Sequence, residues 1–180
     1  MQSASTYPWF ALHVHTRREP VIKRALEFKS YETFLPTYKE SRQYADRVRK
    51  LDAALFPGYV FCRLDTENRL PVLITPGVYD IVRTGDVLQP VEEAVIEDIR
   101  RIVTSGCNAK PWPFLKTGDR VRVQFGSLFG VEGFLIREKG TDQLVISVSM
   151  LQRSVSVEIE RSWIQPLGHS QKCSPRLVAA

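Results

Sequence analysis

The sequence predicts two units in series: an α+β domain whose antiparallel sheet is flanked by helices, then a small all-β barrel. Three observations predict this. Strand-type alternation and helix-type spacing interleave up to residue 104. Residues 104–114 then gather Ser105, Gly106, Asn108, Pro111 and Pro113, the composition of a linker. Beyond them the pattern is all short strands, punctuated by Gly126, Gly130 and Gly133. The expected boundaries are 7–104 for the first unit, 105–115 for the linker, 116–168 for the barrel and 169–180 for a flexible tail.

The first unit opens with an alternating strand. Trp9, Ala11, His13 and His15 share one face, and Phe10, Leu12 and Val14 share the other. Thr16 is placed to cap a helix whose first turn suits Pro20. Val21, Ile22, Ala25, Leu26 and Phe28 recur at helical spacing as its inner stripe, with Lys23, Arg24, Glu27 and Lys29 opposite. Tyr31 to Tyr38 reads as a strand broken by Pro36. The charged run Lys39 to Lys50 reads as the outer part of a hairpin, with Arg42 and Arg47 either solvated or touching phosphate.

The stretch around which the chain is organised is Leu55-Phe56-Pro57-Gly58-Tyr59-Val60-Phe61-Cys62. Pro57-Gly58 makes a turn at the mouth of a strand. Val60, Cys62 and Leu64 point one way, and Tyr59, Phe61 and Arg63 the other. With bulky apolar groups on both faces, the pattern fits a central strand covered twice. It also fits one that keeps a face for a partner. A short helix over residues 66–74, awkward at Pro71, a strand from Val78 to Arg83 and a helix from Val91 to Val103 complete the unit. The apolar stripe of that helix is Val91, Val95, Ile96, Ile99 and Val103.

Composition narrows the function. Over 180 residues, 43% are hydrophobic, 25% are charged and the net charge is +5, a globular and mildly basic chain. The three cysteines form no C-x-x-C pair and the three histidines complete no ligand set, so neither a zinc site nor a disulfide framework is expected. No apolar run is long enough to span a membrane. The first residues lack the layout of a signal peptide, and a cytoplasmic protein is expected. Asp119 with Glu132, or Glu158 with Glu160, could be offered as acid–base pairs. No nucleophile or metal set accompanies them, so no enzyme and no cofactor are expected.

Trp9-Phe10-Ala11-Leu12, the Leu55 to Phe61 motif and Pro76-Gly77-Val78 resemble the N-terminal (NGN) domain of the NusG family of transcription factors. Residues Gly118 to Val123, Gly126 to Gly133, Leu144 to Val148 and Val157 to Ile159 resemble a KOW motif, a small SH3-like barrel. The likeness covers residues 7–167. Within the family it is nearer to the specialised RfaH and UpxY type than to the housekeeping factor. Where the housekeeping pattern has Gly-x-Glu, this chain has Arg17-Arg18-Glu19, and its hairpin is compact and basic.

The resemblance implies a monomeric factor that binds RNA polymerase during elongation. The first unit would sit on the clamp helices of the β′ subunit and reach toward the β gate loop. The residues it assigns to the clamp are Phe56, Tyr59, Trp9, Ile99 and His13, with Phe61 left in the core. It places Arg17, Arg18, Lys23 and Arg24 near non-template DNA. Met150, Leu151 and Arg153 are the corresponding handles of the barrel, toward Rho or a small-subunit ribosomal protein. Two alternatives stay open: a housekeeping NusG, and a KOW-bearing ribosomal protein that binds RNA directly. The β-rich second unit is expected to keep its strands and not convert to helices.

Overall fold

The structure, a computed structural model, describes residues 7–43, 48–113, 118–138, 140–148 and 151–167. The first part of the chain runs β1 (Trp9–Val14), α1 (Glu19–Phe28), β2 (Thr33–Phe34), β3 (Thr37–Gln43), β4 (Val48–Ala54), β5 (Tyr59–Arg63), α2 (Leu70–Leu73), β6 (Val78–Ile81), β7 (Arg83–Thr84), β8 (Val87–Leu88), β9 (Pro90–Val91) and α3 (Glu93–Thr104). The second part runs β10 (Lys110–Pro113), β11 (Asp119–Val123), β12 (Glu132–Glu138), β13 (Thr141–Val148), β14 (Arg153–Glu158), a single 3-10 turn (Arg161–Trp163) and β15 (Ile164–Pro166).

The first sheet has the order β2-β5-β1-β6, with β9 paired to the start of β1. Alternation sorts its two faces as the residues foretell. Phe10, Leu12, Val14, Val60, Cys62 and Leu64 pack with Ile22 and Leu26 of α1. On the other face, Trp9, Ala11 and Phe61 pack with Phe56 and with Ile96, Ile99 and Ile102 of α3. The sheet is thus the filling between α1 and α3. The hairpin β3-β4 stands apart as its own two-stranded ribbon.

Five local expectations are corrected. Val21 and Phe28 are not in the inner stripe of α1 but are exposed, its buried residues being Glu19, Ile22 and Leu26. Thr16 is not the cap of α1: Arg18 holds that position without a side-chain bond, and Pro20 sits in the first turn. Helix α2 is only Leu70–Leu73, because Pro71 is tolerated in a first turn but not further in. Val91 is not in the α3 stripe. It lies in β9, buried against Trp9, and the helix starts after it. The expected linker supplies a strand: β10 pairs with β14, Lys110 opposite Ser156 and Trp112 opposite Ser154.

The second sheet has six strands in the order β10-β14-β13-β12-β11-β15, all antiparallel. Val121, Val123, Leu144, Val155 and Val157 fill its inner face and are continuous with the α3 side of the first core. Polar contacts add to this junction. Arg101 Nη1 donates to the Phe129 carbonyl at 3.5 Å. Asp98 accepts a backbone hydrogen bond from Glu132, while burial pushes the Asp98 carboxyl above the ordinary carboxylate range, against the pull of Arg101. A cleft of about 710 Å³ separates α3 from β12 and β13 beside these contacts.

Candidate functional site

The shared face of β1 and β5 has two ends. At one end α3 roofs it. Trp9 and Phe56 are each 1% exposed and Ile99 is fully buried. Trp9 Nε1 donates to Glu93 at 3.2 Å, and the Arg63 guanidinium lies 4.7 Å over its ring. Arg63 also pairs with Glu93 at 2.6 Å and with Glu32 at 2.9 Å. Phe56 meets Phe61 edge-on, with centroids 5.6 Å apart. These groups are structural in this arrangement; Trp9, Phe56 and Ile99 present no surface to a partner.

At the other end the face is open. The register sets His13 opposite Tyr59. A bulge between His13 and Val14, facing β6, turns Tyr79 onto the same face. The His13 ring lies 5.6 Å from Tyr59 and 5.3 Å from Tyr79, and His15 lies 6.2 Å from Tyr79. His13 and His15 are exposed, Tyr59 is half-buried and Tyr79 is 59% exposed. Two of the residues assigned to a partner by resemblance are therefore brought together, and Tyr79 and His15 join them. Sequence reading passed over Tyr79 because even alternation through Val78 to Arg83 gives no sign of the bulge.

What holds this end in shape is a buried carboxylate. Gly58 follows Pro57 at φ +83, a left-handed conformation that glycine adopts without strain. Its N–H donates to Glu19 Oε1 at 2.8 Å, and its carbonyl accepts from the Val14 N–H at 2.8 Å. Glu19 is buried in the first turn of α1, so the helix start, the first strand and the turn before Tyr59 are tied at one point. Sequence reading assigned Glu19 no role of its own; it stands in the stretch where the resemblance leads to the expectation of Gly-x-Glu.

Arg17, at the place where the resemblance leads to the expectation of glycine, stands at φ +70. An L-residue there costs about 1–2 kcal/mol relative to a relaxed conformation. Arg17, Arg18 and Arg24 are exposed and Lys23 is half-buried. Lys23 pairs with Glu27 at 2.5 Å, which lowers the Glu27 carboxyl below its usual range. These cations share the start and outer side of α1. On the hairpin, Arg42 and Arg49 are partners in the backbone register, and Arg47 lies outside the described residues. On the second sheet Leu151 is buried, Arg153 is exposed and Met150 lies outside the described residues.

The remaining chemistry is quiet. Burial pushes the Cys62 thiol up to about 12. Among the described residues no group of His, Cys, Asp and Glu is placed to hold a metal ion. Among the described residues, too, no helix is long and apolar enough to cross a membrane.

Comparison with known proteins adds the following. The NusG family model, described as transcription termination factor nusG, matches residues 7–100, just over half of the chain. The transcription termination/antitermination protein NusG of Pseudomonas aeruginosa is 27% identical over 172 residues, covering 87% of this chain and 97% of the relative. The protein of that name from Helicobacter pylori J99 is 24% identical over 177 residues, covering 88% and 98%. A solved structure of Thermotoga maritima NusG, concerned with domain interaction, covers 92% of this chain and 100% of its own, with TM-score 0.56 and 19% identity. That likeness speaks for the fold alone.

Proposed function

We propose a role in transcription from one premise: the chain belongs to the NusG family. In this reading it is an elongation factor that binds RNA polymerase through its first unit, suppresses pausing and shifts the balance between termination and antitermination. The observation that carries the reading is the exposed ring cluster of His13, Tyr59 and Tyr79. A protein hot spot needs stiff aromatic groups that are accessible yet held in place. This cluster has both properties, because the Glu19–Gly58 bond fixes the turn beneath it. The clamp helices of β′ would dock here, with the first unit reaching toward the β gate loop. Trp9, Phe56 and Ile99 support the surface from within.

Arg17 favours a specialised, operon-selective member. A cation kept in a strained backbone position at the surface is explained by what it touches, and strain of this kind gathers at functional sites. Arg17, Arg18, Lys23 and Arg24, with Arg42 and Arg47 of the hairpin, would lie along non-template DNA. The second sheet is the KOW barrel of this reading, offering Met150, Leu151 and Arg153 to Rho or a small-subunit ribosomal protein. Leu151 would need a local shift to take part. The factor would act as a monomer in the cytoplasm.

The test is a reconstituted elongation complex halted at defined pauses. The intact chain is expected to shorten those pauses, and a variant lacking the Tyr59 ring is expected to leave them unchanged. Pausing that the intact chain does not alter overturns the reading.

A further inference from the structure

The turn that carries Gly58 also borders a cavity. It measures about 440 Å³ and lies between the start of α1 and the base of the β3–β4 hairpin. Leu35, Ala53, Ala54 and Pro57 give it apolar walls, Tyr38 adds a ring, and Glu19 lines it from α1.

Glu19 is 3% exposed, and the fold uses one of its two oxygens. Oε1 accepts from the Gly58 N–H at 2.8 Å, and Glu19 has no other hydrogen bond or ion pair among the described residues. A buried carboxylate held by one neutral donor is poorly compensated for the water it has lost. Of the other acids on the lining, Asp52 is engaged by Lys39 at 2.6 Å and Glu40 has interactions of its own. Glu19 is the acid of this cavity that lacks a counterpart.

Two stretches of chain lead from the cavity to the ring cluster. Pro57 lines it two residues before Tyr59, and Thr16 lines it next to His15. A partner seated on the rings therefore reaches the edge of the cavity.

We propose that this cavity receives an arginine side chain of the protein that docks on the ring cluster, its guanidinium pairing with Glu19 Oε2. The proposal rests on the reading of that cluster as a docking surface, and it names what the partner presents beside it. The missing counterpart of a carboxylate is a cationic N–H donor. Guanidinium is more weakly hydrated than ammonium and is planar, so it enters a buried pair more readily and lies flat against a tyrosine ring. The apolar walls suit its methylene stem. Arg17, exposed, is the cation on the lining, and it opposes the incoming charge.

The experiment measures binding of the whole chain to core RNA polymerase free of nucleic acid. In parallel, N-acetyl-arginine amide is titrated into the whole chain while the Gly58 amide resonance is followed. Glu19→Gln keeps an acceptor for Gly58 and loses the charge. It is expected to weaken polymerase binding about 30-fold at a melting temperature close to native. Ala54→Leu fills the cavity, leaves Glu19 in place and is expected to weaken binding too. Arg17→Gly is expected to strengthen it. The arginine probe should shift the Gly58 resonance in the native chain and not in Glu19→Gln, and N-acetyl-lysine amide should shift it less. If Tyr59→Ala weakens binding while Glu19→Gln and Ala54→Leu bind as the native chain does, docking on the rings stands and the arginine site is overturned. Equal shifts from the two probes, or weaker binding by Arg17→Gly, overturn the choice of arginine. If the native chain does not bind polymerase, the reading of the cluster falls, and a Gly58 resonance unmoved by the arginine probe overturns the site as well.

Discussion

Strand β1 carries one face through two environments. At Trp9 and Ala11 that face is sealed by α3; at His13, one alternation further, it is open. The strand across from it behaves alike: Phe61 is buried, and Tyr59 is half-buried beside His13. Packing against Ile96, Ile99 and Ile102 of α3 makes the first stretch of this face core, and beyond it the face is surface. One motif therefore does two jobs. Phe56 and Phe61 hold the domain together, and Tyr59 is offered outward. Sharing a face, or a motif, does not make residues share a role.

The largest effect expected from breaking this division is at the closed end. Phe56→Ala empties a site sealed against Phe61 and should cost about 3–5 kcal/mol of stability in chemical denaturation. If it instead leaves stability intact and abolishes polymerase binding, the closed end is a contact surface and the comparison fails. Next is the tie between the ends. Glu19→Ala strands the Gly58 N–H in a buried place and should cost about 1–3 kcal/mol, with Glu19→Gln recovering most of it because the amide oxygen still accepts. Equal losses for both would show that the bond matters less than the volume.

A smaller change should go the other way. Arg17→Gly relieves a left-handed residue and should stabilise the fold by about 0.5–1 kcal/mol, after the added flexibility of the unfolded glycine. The same variant should bind single-stranded DNA less tightly. A loss of stability would remove the case for strain. The smallest effect concerns Cys62, beneath the motif. Its thiol is pushed up to about 12, so the unfolded chain ionises first and stability falls as pH climbs from the ordinary thiol range toward 12. At pH 8 it should resist alkylation while Cys107 reacts, as peptide mapping would show; the reverse order would mean an open core.

Much of the fold was legible because its signals are local. Alternation at Phe10, Leu12 and Val14, and at Val60, Cys62 and Leu64, assigns both faces of the sheet without knowledge of the partners. The hairpin and the strands after residue 118 declare themselves in the same way. The failures share a cause: each turns on something distant in sequence. Pro111 and Pro113 look like linker residues. Spaced by two on an edge strand, their missing N–H groups fall on one side, and β10 can pair with β14 through the other. Val91 extends the α3 periodicity by one step, yet pairing with Trp9 claims it for β9. Whether Trp9, Phe56 and Ile99 are handles or core depends on whether the sheet and α3 pack against each other. The burial of Glu19 depends on a turn that begins 38 residues later, at Pro57. Chemistry was more legible than accessibility: the aromatic, cationic and apolar groups could be named, and only the fold could say which of them face out.

The most direct test of the division is equilibrium binding of Tyr59→Ala to core RNA polymerase, with thermal melting of the same preparation. The account predicts an affinity lower by about 30-fold, roughly 2 kcal/mol, at an unchanged melting temperature. Native affinity, or a loss matched by a fall in melting temperature, would contradict it.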